Sequence, residues 1–240
     1  MNPIQRKKSK RIASIAGLIL VLAGAAGAQR APAPKLREGA GYFMFGGSFL
    51  DISGLNTSLE RGGYSGLSGH VITLGGGGHV VSGRLVLGGE GQGFSGKSSA
   101  NGRYKTALSG GCGFFNVGYV LYSGKGLRIY PLCGLGAGSI TLNITDRRIA
   151  SFTDILDDPG RSARLSTSGF LLNLGLQAEK FIGFGSRGRG EGGLVIGVRA
   201  GYTFAPIKGG WELEKMEIDG GPGTAFAGPY IRLIIGAGNS

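Results

Sequence analysis

The chain has only 2 cysteines, 2 histidines and 1 tryptophan in 240 residues. Two cysteines cannot staple a disulfide-rich scaffold. His70 and His79 lie nine apart, on opposite faces of any one strand, so they cannot share a zinc ion. Proline is sparse at 8 residues, and the 51 glycines follow no third-position period, which excludes a collagen helix. Acid is also scarce, with 14 Asp and Glu against 26 Lys and Arg for a net charge of +12. Beyond the N-terminus, no apolar run approaches the roughly 20 residues that a membrane helix requires. Apolar residues nonetheless make up 41% and charged ones only 17%, a poor composition for disorder.

The N-terminus carries Arg6, Lys7, Lys8, Lys10 and Arg11 without an acid, then an apolar stretch from Ile12 to Ala25, then Ala26-Gly27-Ala28. A basic head, an apolar middle and a small-x-small end predict a secretory signal over residues 1–28. Residues 29–38, with Pro32 and Pro34, read as a short leader, and residues 39–240 as one domain. Removing the signal leaves 21 basic against 14 acidic residues, a charge of +7. Export removes nucleic acid as the partner of that charge. The remaining charge reads first as a solvated surface, with an anionic membrane or lipopolysaccharide as the alternative partner.

The mature chain alternates with period two. From Phe170 to Phe184, the even positions hold Phe170, Leu172, Leu174, Leu176, Ala178, Lys180, Ile182 and Phe184; the odd ones hold Leu171, Asn173, Gly175, Gln177, Glu179, Phe181 and Gly183, a mixed polar or small face. Leu194 to Phe204 repeats the pattern, with Arg199 on the polar side. Further strands are expected at 40–50, 69–81, 84–95, 106–122, 127–143 and 224–236, eight in all. Short helical turns fit Ser53–Arg61 and Ser151–Leu156. The connections alternate between long (51–68, 96–105, 144–164, 209–223) and short (82–83, 123–126, 186–192). All long loops then fall at one end of an up-and-down barrel.

The polar face carries Glu90, Gln92, Glu179, Arg199 and Arg232. Four charges in a dry soluble core carry a heavy desolvation cost, whereas a membrane barrel points its polar face into the lumen. The expected lumen network is Glu90, Glu179, Arg199 and Arg232, with Glu179 and Arg199 as its pair. The length from Phe170 to Phe184, at about 3.3 Å per step, is ~46 Å, enough to cross a bilayer when tilted.

Signal, eight amphipathic strands and alternating loops together resemble the small eight-stranded outer-membrane β-barrels. The resemblance covers nearly the whole mature chain and is one of pattern. It implies an all-β, eight-stranded antiparallel transmembrane barrel in the outer membrane, in contact with its lipid and expected as a monomer. Those barrels usually end in an aromatic residue; this chain ends Ile234-Ile235-Gly236-Ala237-Gly238-Asn239-Ser240.

The remaining motifs have structural readings. Gly75–Gly78 precedes His79-Val80-Val81, a strand and not the helix a phosphate loop requires. Arg187-Gly188-Arg189-Gly190 reads as a solvated turn. Pro131 and Pro229 interrupt expected strands and mark a bulge, an edge or a lateral opening. If Tyr122 faces Leu127, then Cys112 faces Ala137, and Cys133 sits on the same face four residues away, beyond disulfide reach unless a bulge changes the register. No cofactor, metal or catalytic residue is expected. His70 with Ser68 and Asp154, Asp157 or Asp158 is the only hydrolase-like set, and no spacing demands it. The first functional reading is a structural or surface-interaction protein without a wide pore, acting through its long loops with Tyr64 and Trp211 as aromatic contacts. The alternatives are a lipid-processing barrel enzyme and a soluble periplasmic barrel binding a small apolar ligand.

Overall fold

The computed structural model describes residues 38–96, 98–148, 152–157, 162–184, 192–214 and 216–239. The expected signal over 1–28, the leader up to residue 37 and the Arg187–Gly190 segment lie outside the described residues. Glu38, read as the end of the leader, is the first residue of β1.

The strands are β1 (Glu38–Phe49), β2 (His70–Ser82), β3 (Leu85–Ser95), β4 (Ser99–Ala100), β5 (Tyr104–Tyr119), β6 (Tyr122–Gly124), β7 (Leu127–Asp146), β8 (Ser162–Gly183), β9 (Gly192–Leu213), β10 (Met216–Ile218) and β11 (Gly228–Asn239). Helix α1 spans Ser53–Arg61 and α2 spans Phe152–Asp157. Eight long strands pair antiparallel around a ring, β1-β2-β3-β5-β7-β8-β9-β11, and β11 returns to β1. The fold is an eight-stranded up-and-down barrel, so the wall has no free edge.

Across the middle of the wall the polarity is that of a membrane protein. Leu74, Phe45, Leu233 and Val198 are successive cross-strand partners on β2, β1, β11 and β9. All four face outward and are exposed. Arg199 and Arg232, one residue along from Val198 and Leu233, are 2% and 1% exposed. Burying guanidinium groups while exposing leucine and phenylalanine is unfavourable in water and favourable in lipid. Tyr119 and Tyr122 border this band towards the short turns, and Phe49, Tyr202 and Phe204 border it towards the long loops.

Three strands run farther than their alternation predicts. β7 extends to Asp146, β8 begins at Ser162, and β9 continues to Leu213. The segment 209–213, expected as loop, is therefore wall. Two register shifts between β8 and β9, at Thr167/Gly169 and Phe170/Leu172, fall where this extension leaves the apolar band.

The turn after β5 corrects the cysteine geometry. β6 pairs with β7 and places Cys112 opposite Gly138, one residue from the expected Ala137. A one-residue slip reverses every face. Cys112 is buried in the lumen, Cys133 is exposed outside, and both are free. Pro131 and Pro229 also face outward, and the β7–β8 and β9–β11 pairings run through them. The β5–β7 pairing ends at Leu132 and the β1–β11 pairing at Tyr230, each one residue away. The missing N–H groups thus fall at ladder ends, where little is lost.

Candidate functional site

The lower lumen holds a network of hydrogen-bonded charge and, at the short-turn end, an apolar cluster of Val81, Val86, Val120, Tyr130 and Leu132. β3 and β9 are diametrically opposite in the ring, and Glu90 reaches across from β3 to the Arg199 guanidinium on β9. The other Glu90 oxygen accepts from Arg232 Nη1 at 3.3 Å. Arg199 and Arg232 are direct cross-strand partners. Their mutual repulsion is offset by this one carboxylate, with both partners almost fully buried. Small neighbours make the room. Gly77, opposite Glu90, would bring a Cβ to 2.9 Å from the Glu90 Cβ, and Gly46, opposite Arg232, one to 2.7 Å from the Arg232 Cα.

The expected Glu179–Arg199 pair is replaced by a relay. The β8–β9 register sets Gln177, not Glu179, opposite Arg199. Arg199 Nε donates to Gln177 Oε1 at 2.6 Å, and Gln177 Nε2 donates to Glu179 Oε2 at 2.7 Å. Tyr130 Oη donates to the same Glu179 oxygen at 3.0 Å. The second Glu179 oxygen lies 3.4 Å from His79 Nε2 and 3.6 Å from Arg128 Nε, and Arg128 Nη1 lies 2.9 Å from Glu38. His79, Arg128 and Tyr130 were not singled out as site residues. Their lumen-facing positions were the available signal, but contacts between distant strands need the closed ring. Between Tyr42, His79, Asn116, Tyr130 and Arg199 the remaining space is about 10 Å³, no more than one water.

The upper lumen is apolar. Leu55 and Leu59, one turn apart on α1, pack with Leu108, Ile140, Leu142, Leu171 and Phe226. Asn56 holds the α1 loop: its Nδ2 donates to Leu67 O at 2.9 Å and its Oδ1 accepts from Leu67 N at 2.8 Å.

Tyr64 and Trp211, read from sequence as loop contacts, belong to this region. Trp211 is 4% exposed, points inward from β9, and donates Nε1–H to Pro222 O at 2.7 Å. Tyr64 is half-buried with its ring 5.1 Å from that of Tyr104, edge to face. The correction has a simple cause: 209–213 is strand with an apolar inner face. His70 faces outward, its ring 4.6 Å from Phe49, and its backbone N–H donates to Ser68 Oγ at 3.2 Å. The side chains of Asp154, Asp157 and Asp158 lie outside the described residues.

The outside of the extension is polar and carries both signs of charge: Glu212 and Glu217 are exposed on β9 and β10, and Lys208 Nζ donates to Gly223 O at 3.0 Å. Lys105, Arg164 and Lys208 are exposed on β5, β8 and β9, and Arg103, Arg147 and Arg148 are exposed at the adjoining loops. Asp146, at the top of β7, accepts from Arg148 Nη2 at 2.8 Å and from Arg103 Nε at 3.3 Å. These bonds, those of Arg148 first, hold its carboxyl well below the usual carboxylate range.

No protein-family model matches the chain, and no curated protein matches it. Among solved structures the chain is similar to Ail, the attachment invasion locus protein of Yersinia pestis. The match has 12% identity and a TM-score of 0.45, and covers 84% of this chain and 97% of that one. A structure of Ail in complex with the heparin analogue sucrose octasulfate matches at 12% identity and a TM-score of 0.41, with the same coverage.

Proposed function

We propose that the chain is an outer-membrane barrel whose work is done outside the membrane, as a surface-interaction protein that meets anionic partners through its basic outer wall. The observation that carries this reading is the protruding part of β5, β7, β8 and β9. It stands above the apolar band, turns polar and charged side chains to solvent, and rests on a barrel whose described lumen is packed below the long-loop end. Lys105 and Arg164 are exposed there, and Lys208, whose Nζ donates to Gly223 O at 3.0 Å, adds its charge; phosphate or sulfate groups near the membrane surface are the ligands that suit them. Lipopolysaccharide and polyanionic surface molecules have that chemistry. The lumen, braced by Glu90 from one wall to the other, is a strut and not a conduit.

The test uses the full chain expressed on intact cells. Protease added outside is expected to cut in 147–161 before lysis. Binding of the refolded protein to lipopolysaccharide is expected to weaken with rising salt, and to fall about tenfold when Lys105, Arg164 and Lys208 are replaced by glutamine. Release of the protein by osmotic shock alone, or stepwise conductance in planar bilayers, would overturn the reading.

A further inference from the structure

We propose that the long-loop end of the barrel holds a binding site for an uncharged hydrocarbon group the size of one aromatic ring. A cavity of about 190 Å³ lies there, between α1 and the inner faces of β7, β8 and β9. Its wall includes Leu55, Leu59, Leu142, Ile144, Leu165 and Trp211. The cavity opens to solvent on one side, where exposed Ser58 and Gly221 form part of its wall. An enclosed engineered apolar cavity of about 150 Å³ binds benzene, so there is room here for one ring.

The chemistry of the lining sets the class of ligand. Among the described residues, no charged side chain lines the cavity. The three side-chain polar groups on its wall are those of Ser58, Tyr64 and Trp211. Ser58 Oγ already donates to Gly54 O at 3.1 Å, and Trp211 Nε1 to Pro222 O at 2.7 Å. An ionic or strongly polar ligand therefore finds no counter-charge and loses its hydration. A flat apolar group finds the Trp211 indole on one side and leucine and isoleucine methyls on the other. Gly221 keeps that indole in place, because a Cβ there would collide with its Cδ1.

Two sources supply such a group: a free molecule from solution, or the end of an acyl chain from the surrounding leaflet. The site does not rest on the surface-interaction reading, since a barrel with no outer partner would still bind at this cavity.

The chain's single tryptophan lines the cavity, so its emission reports occupancy directly. Bromobenzene added to the refolded protein in detergent is expected to quench Trp211 saturably. Ile144→Phe and Leu165→Phe fill the cavity from two different walls, and each is expected to weaken the apparent affinity at least tenfold. Both variants are checked for folding by the heat-dependent gel mobility of the intact barrel. Reconstitution in lipid brominated at the chain ends separates the sources. Quenching there without bromobenzene, lost in both variants, assigns an acyl chain; quenching by bromobenzene alone assigns a free molecule. Unsaturable bromobenzene quenching that is equal in all three proteins, with no variant-sensitive quenching by the brominated lipid, would overturn the proposal.

Discussion

The lower and upper halves of this barrel are built on the same strands with opposite polarity. In β8, the odd positions point inward along its whole length. Low in the strand they are Asn173, Gln177 and Glu179; high in the strand they are Leu165 and Leu171. The even positions point outward and change from Leu174 and Leu176 below to Arg164 and Ser168 above. β7 does the same. Its outward residues pass from Leu135 to Thr141 and Asn143, and its inward ones from Arg128, Tyr130, Leu132 and three glycines to Ile140 and Leu142. The crossover lies near Ser139 and Phe170. Below it the wall meets lipid and folds inside out; above it the wall meets water and folds like a soluble protein. Solvent, and not strand direction or register, decides which side of the sheet is apolar.

The largest effect expected from breaking this contrast is at Glu90. Glu90→Ala leaves Arg199 and Arg232 facing each other, buried and without their shared carboxylate. Removing one partner of a buried ion pair costs about 3–5 kcal/mol. Urea unfolding in lipid vesicles is expected to show that loss. Glu90→Ala paired with Arg232→Met should recover part of it, because the second change removes one unpaired charge. A Glu90→Ala loss below about 1 kcal/mol would mean that the network is decoration on a wall stabilised elsewhere.

The matching change above the crossover is Leu142→Ala, which opens space beneath α1. A buried leucine truncated to alanine costs about 2–5 kcal/mol. The loss is expected to be local first: amide exchange should rise over 50–69 and 140–146 before the lower barrel responds. Equal exchange through both halves would show one cooperative unit.

How much of this was legible in the sequence follows from the same contrast. The lower strands were readable because apolar-out alternation runs from Phe170 to Phe184, with only Lys180 interrupting the outward face, and from Leu194 to Phe204. Up-and-down connectivity then left little freedom in strand order. The upper strands were hidden because the apolar face changes sides near Phe170, so a strand with constant geometry reads as an interrupted pattern. Trp211 reads as loop for that reason, whereas Tyr64 does lie in the connection between α1 and β2. The Cys112 face was lost to a one-residue shift at β6, which no alternation can reveal. In the lumen, strand adjacency suggested Glu179 with Arg199, but register gave that place to Gln177. The reach of Glu90 across the barrel was not legible, because it depends on closure and on the glycine gaps opposite it.

A third prediction sets the outer faces against each other. Leu233→Arg puts a charge in the middle of the lipid-facing band, at a cost of about 2–4 kcal/mol. Asn143→Arg puts the same side chain on the outward face of β7 above the crossover, next to Arg164 on β8. Water solvates it there, and the expected change is within about 0.5 kcal/mol. Equilibrium unfolding of both variants in the same vesicles makes the comparison. Similar losses at the two sites would place the membrane boundary higher than Asn143.

The smallest effect belongs to the ionic clamp at the top of β7, outside the membrane-spanning part. The Asp146 carboxyl titrates below its ordinary range because Arg148, and then Arg103, donate to its ionised form. The unfolded chain titrates near the unperturbed value of about 3.9, so the clamp's contribution is fully present above that value. It fades as pH falls through the lower folded value, as the carboxylate takes up a proton. Amide exchange at Arg147 and Arg148 is therefore expected to stay slow from pH 7 to about 4 and to quicken only in stronger acid. Asp146→Asn should exchange fast at every pH, with little change in unfolding of the barrel. Loosening of these amides already at pH 5 in the unmodified chain would show that another group holds the loop, and that the carboxylate is a bystander.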